Sequence, residues 1–113
     1  MEFSEQQLEE ALNRKLIPLR MHGGIIRWIL IGQMPGSFLS AIIKNDLRDS
    51  IGYADDENIT RLSAYIQFFY HHAPTGCWGS KEKVLQWEQD GGLRKVKSVP
   101  LRLVDGDVYD DGE

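Results

Sequence analysis

The stretch Met21-His22-Gly23-Gly24-Ile25-Ile26-Arg27-Trp28-Ile29-Leu30-Ile31 constrains this chain most, because wound as a helix it is apolar on nearly every side. Such a segment has no face to give to water. Other elements, or a partner, must cover it from several directions. A second apolar run, Phe38-Leu39-Ser40-Ala41-Ile42-Ile43, follows after Gly32-Gln33-Met34-Pro35-Gly36. The first run reads as a central helix, and 113 residues suffice for one domain that buries a core without staples.

Caps and breakers divide the rest. Ser4 and Gln7 form a capping-box pattern that opens a first helix over residues 4–15, with Leu8, Ala11 and Leu12 on one narrow stripe. That helix should lie over the core as a cover. The second, over residues 19–31, carries Gly23-Gly24, which weakens a helix by roughly 1 kcal/mol per glycine against alanine. Either another backbone packs closely there or the helix starts after the pair. Gly32 suits its C-cap, and Ser37 suits the cap of a third helix over residues 37–51 whose core face is Leu39, Ile42, Ile43, Leu47 and Ile51. Asp46, four residues after Ile42, then points near the buried stripe and needs amides such as those of residues 78–80, or a cation such as Arg27 or Arg61, the alternative being that it is a contact residue for a partner.

A fourth helix over residues 56–72 carries Ile59, Leu62, Tyr65, Ile66 and Phe69 at helical spacing, with Ala73 following and Pro74 as its stop. Ser80 caps a fifth over residues 81–89, with Val84, Leu85 and Trp87 on its apolar face, and Gly91-Gly92 ends it. The fold class is therefore all-α: a compact single-domain bundle of about five helices in residues 1–92. Residues 93–113 form a non-helical appendage, basic and then acidic, partly extended or mobile at its end.

The formal net charge of -4 gives no overall attraction to nucleic acid or anionic membrane, yet charge is segregated along the chain. No acid stands between Glu10 and Asp46, where Arg14, Lys15, Arg20, Arg27 and Lys44 are all cationic. One cysteine excludes an internal disulfide, the first residues are acidic where a signal peptide is basic, and no apolar run is long enough for a bilayer. The expected location is a cytoplasm, with no membrane partner.

His71, His72 and Cys77 are the only cluster of soft donors, but adjacent helical histidines point about a hundred degrees apart and a structural zinc site needs four ligands. Cys77 with either histidine lacks an acidic orienter in sequence, so it reads as a packing residue. No metal, no cofactor and no catalytic residue are expected.

The segments His22-Gly23-Gly24-Ile25-Ile26-Arg27-Trp28-Ile29, Pro35-Gly36-Ser37-Phe38-Leu39, Asn45-Asp46-Leu47, Ala54-Asp55-Asp56-Glu57-Asn58 and Ala73-Pro74-Thr75-Gly76-Cys77-Trp78-Gly79-Ser80 carry a resemblance. Together they resemble a group of small uncharacterised proteins encoded by tailed phages and prophages, over about residues 18–92. The resemblance implies expression in an infected bacterium and a task in host takeover, anti-defence or phage regulation.

The expected function is a non-enzymatic interaction protein that binds and modulates a host or phage protein, with Arg20, His22, Arg27 and Trp78 as contacts; a homo-oligomer is compatible with it. The alternative is a nucleic-acid-binding accessory module that uses Arg14, Lys15, Arg20, Arg27 and Lys44 with Arg94, Lys95 and Lys97 of the basic segment 94–102.

Overall fold

The computed structural model describes residues 3–96 of the chain; Lys97, the extended segment expected over residues 98–104 and the acidic run 105–113 lie outside the described residues. Among the described residues there are seven α-helices and no strand: α1 (Glu5–Arg14), α2 (Leu19–Ile31), α3 (Ser37–Ile43), α4 (Leu47–Tyr53), α5 (Asp56–Thr60), α6 (Leu62–His72) and α7 (Lys81–Asp90). A short 3-10 turn, Thr75–Cys77, precedes α7. The fold is all-α. The count rises from five to seven because two of the expected helices each break in two.

The first break is at Asn45. Its backbone is left-handed, with φ 62°, and the N–H groups of Asn45 and Asp46 donate back to the carbonyls of Ile42 and Ala41 at 3.1 and 2.9 Å. That is the Schellman closure of a helix, and asparagine is the residue after glycine that best tolerates it. Asp46 then starts α4, its carboxylate accepting from the Asp49 N–H at 2.9 Å. Asp46 is thus an exposed N-cap, not a buried carboxylate on the α3 stripe. The turn rotates Leu47 and Ile51 out of the core position expected for them, leaving them 66 % and 50 % exposed.

The second break is at Arg61, which is both the C-cap of α5 and the N-cap of α6. The Thr60 hydroxyl donates to the Glu57 carbonyl at 2.7 Å, a side-chain bond that competes with the helical ladder. The offset lets buried Asn58 accept from the Tyr65 hydroxyl at 2.6 Å, pinning α5 to α6. Ile59 and Ile66, expected in the core, are exposed, and Phe68 is buried instead.

The centre of the core is α2. Ile25, Trp28 and Ile29 are almost fully covered and share one core with Leu8 and Leu12 of α1, Leu39 and Ile42 of α3, and Tyr65, Phe68 and Phe69 of α6. Gly23 and Gly24 sit inside α2, so the helix neither starts after the pair nor meets a neighbouring backbone there. Arg27 folds its guanidinium back over Gly23, and Gly24 faces only the Leu39 side chain. The close backbone approach is elsewhere: the left-handed C-cap Gly32 of α2 lies against Gly92, just beyond the C-cap Gly91 of α7. Side chains at Gly32 and Gly92 would collide with main-chain atoms.

This contact closes the end of α2. The carbonyls of Ile29 and Leu30, left without helical partners of their own, accept from the Leu93 and Arg94 N–H groups, and that of Trp28 accepts from the Trp87 indole, each at 2.9 Å. The Trp28 carbonyl also accepts from the Gly32 N–H at 3.0 Å. Residues 93 and 94, read from sequence as the start of an appendage, are thus tied to the central helix through their main chain.

Candidate functional site

The expected contact residues do not form one surface. His22 is buried; its Nε2 donates to the Ile17 carbonyl at 2.8 Å and its Nδ1 lies 2.7 Å from Glu9 Oε2, so it locks α1 and the α1–α2 turn onto α2. Trp78 is half-buried against Phe69, ring centroids 5.7 Å apart. Arg20 Nη2 is 2.7 Å from Asp55 and 3.2 Å from Glu57. Those two acids raise its pKa, Glu57 first, while Asp55 is held below its ordinary value, first by the Asn58 N–H that it caps. Arg27 is exposed on α2.

The cations of the acid-free stretch are likewise dispersed. Arg20 and Arg27 line one cleft of about 360 Å³ with Met21 and Met34. Lys44 lines another of about 510 Å³ with Asp46, Asp49 and Lys81. Arg14 and Lys15 stand at the far end of α1, beside α6. Arg94 and Lys95 are exposed beyond α7, and Lys97 lies outside the described residues. The stretch is acid-free in sequence only, because α5 folds its acids over Arg20.

Cys77 is buried, and burial pushes its thiol up to about 12, the reverse of what a nucleophile needs. Its carbonyl accepts from the Trp28 indole at 2.9 Å, so the residue works as a packing and anchoring point. Among the described residues no three His, Cys, Asp or Glu side chains converge in a way that could hold a metal ion, and no helix is long and apolar enough to cross a membrane.

What the breaks at Asn45 and Arg61 create is a groove. It has a volume of about 420 Å³, with Ile42 and Asn45 from the end of α3, Asp46, Leu47 and Ser50 from the start of α4, and Leu62, Ser63, Ile66 and Gln67 from α6. Leu47 and Ile66 are 66 % and 37 % exposed. Ile51, one turn beyond Leu47, extends the apolar row on α4, and Leu62 and Ile66 form an equivalent row on α6. Only Asp46 among the lining residues carries a charge, and that charge is used in its cap.

Sequence reasoning missed this groove because the same leucines and isoleucines satisfy a helical core pattern. Asn45-Asp46 carried the signal that could have revealed it, since asparagine followed by aspartate is both a helix stop and a helix start. Comparison of the chain with protein-family models, with curated proteins and with solved structures gives no match.

Proposed function

We propose that the chain is a small helical interaction protein that takes the apolar face of a helix from a partner protein into the groove between α4 and α6. The observation that carries this reading is the pair of apolar rows, exposed Leu47 with Ile51 and half-buried Leu62 with exposed Ile66, flanking a groove floored by Ile42. Two rows with i, i+4 spacing, about one helix turn per step, match the spacing of side chains on an inserted helix. The polar lining, Asn45, Ser50, Ser63 and Gln67, is neutral, so the matching face is apolar rather than charged. Large exposed aliphatic side chains gathered around one concavity are costly to leave in water and mark contact sites. The resemblance to phage-encoded proteins gives the setting: modulation of a host or phage protein in an infected bacterium.

The test is a pair of variants, Leu47→Lys and Ile66→Lys, with Leu85→Lys on exposed α7 as control. Both groove variants keep the wild-type melting temperature, because both side chains are exposed, and both lose the complex that the control retains. Retention of the complex by both groove variants sinks the reading. Loss of self-association instead of a heteromeric complex replaces the partner by a second copy of the chain.

A further inference from the structure

The C-terminal ends of α1 and α6 meet beside each other, and they bring the cations Arg14 and Lys15 beside tyrosine and histidine side chains far away in sequence. Lys15 Nζ donates to Gln67 Oε1 on α6 at 3.3 Å. Gln67, Tyr70 and His71 lie on one side of α6, at i, i+3 and i+4. The Tyr70 and His71 rings stand edge to face with centroids 5.0 Å apart, and His72 follows at 6.3 Å from His71. Tyr70 is 72 % exposed, with its ring open to a stacking partner.

The acids Glu9 and Glu10 of α1 are turned elsewhere, Glu9 to His22 and Glu10 to Gln6. Arg14 and Lys15 make no ion pair among the described residues. Burial first, then Arg14, Lys15 and His71, press the His72 pKa below its ordinary value. Single cations at helix C-termini complement the dipole. Here Arg14 and Lys15 sit together at such an end, close enough to the α6 terminus to disfavour a proton on His72, and a bound anion offsets their charge.

We infer that this junction binds single-stranded nucleic acid, with Arg14 and Lys15 on backbone phosphates, Tyr70 stacked on a base, and His71 and His72 beside them. Phosphate contacts combined with an exposed aromatic ring are how unpaired strands are held without regard to sequence, whereas a duplex keeps its bases stacked and offers Tyr70 nothing. The surface differs from the basic stretch expected from sequence, since it leaves out Arg20 and Arg27 and adds Tyr70, His71 and His72. It adjoins the α4–α6 groove at Gln67 but rests on different observations.

The experiment is fluorescence anisotropy of the full chain with a 5′-labelled 20-nucleotide thymidine strand, beside a labelled duplex of equal length. Two phosphate contacts predict that affinity falls about sevenfold between 50 and 200 mM salt. The double variant Arg14→Glu, Lys15→Glu should lose more than tenfold. Tyr70→Ala should lose about tenfold, and Tyr70→Phe should restore the affinity. Lys81→Glu, on α7, should bind like the wild type. Circular dichroism and melting of each variant verify folding, and the Phe variant keeps the aromatic test readable if the Ala variant unfolds. Absence of binding at 50 mM salt overturns the inference. So does equal affinity for the duplex, or binding that survives the double charge reversal.

Discussion

Trp87 donates its indole N–H to the main-chain carbonyl of Trp28 at 2.9 Å, while Trp28 donates its own indole N–H to the carbonyl of Cys77 at the same distance. The last helix, the central helix and the 3-10 turn are thereby joined by two side-chain donors. Trp28 is fully buried, so Trp28→Phe strands the Cys77 carbonyl and should cost about 1–3 kcal/mol beyond any change in packing. Trp87 is only half-buried and water can replace its bond, so Trp87→Phe should cost less, about 0.5–1.5 kcal/mol. Urea denaturation of the two variants checks the order; equal losses would contradict it.

Asp46 is expected to matter for stability through its cap. Asp46→Ala should cost about 0.5–2 kcal/mol, and Asp46→Asn or Asp46→Ser should recover most of it, since all three side chains cap a helix. A buried ion pair would behave otherwise, with the neutral variants as damaging as alanine. Thermal melts of the three variants separate the two accounts.

Leu16 and Asn45 both close helices in the left-handed region, at φ 58° and 62°. That conformation costs leucine more than asparagine, and Leu16 is 63 % exposed, so little packing is lost on its removal. Leu16→Gly should therefore stabilise the protein by up to about 1 kcal/mol. Gly24→Ala should also stabilise, by about 0.5–1 kcal/mol, because an added methyl meets only the Leu39 side chain at an ordinary 3.6 Å. A lower melting temperature for Gly24→Ala would show that the glycine pair serves something other than the fold.

The pH dependence follows from Cys77. Its thiol is raised from 9.0 to about 12 by burial, so the folded state holds the proton more tightly than the unfolded chain. The associated stability is fully present below about pH 9 and is lost as the pH rises from 9 towards 12. Native protein at pH 8 should resist iodoacetamide, while protein in denaturant is alkylated at the rate of an ordinary thiol. Rapid alkylation of the native form would contradict the burial, and Cys77→Ser should keep whatever activity the wild type has.

The legible part of the fold was the set of elements whose ends are written in short-range chemistry. The Ser4–Gln7 capping box, the Gly32 cap, the stop at Pro74 and the Ser80 cap all stand where the sequence puts them. Ser37 is a partial exception, being the first helical residue after the cap Gly36. What could not be read was whether an uninterrupted apolar pattern belongs to one helix or two. Leu39, Ile42 and Ile43 continue in register to Leu47 and Ile51, and only the backbone at Asn45 decides that the second pair leaves the core. The charge pattern misled for a related reason. Arg20 and Asp55 are 35 positions apart, yet they meet at 2.7 Å once α5 folds back.

The measurement that tests the central claim most directly is site-specific photocross-linking in cells that express the protein. A photoreactive phenylalanine analogue replaces Leu47 or Ile66 in the groove, or Leu85 on α7, and the adducts are mapped by mass spectrometry. The account predicts one adduct shared by the two groove positions and absent at Leu85, joined to a partner segment with apolar residues at helical spacing and abolished by Ile51→Asp. Adducts at Leu85 but not in the groove, or groove adducts untouched by Ile51→Asp, would contradict it.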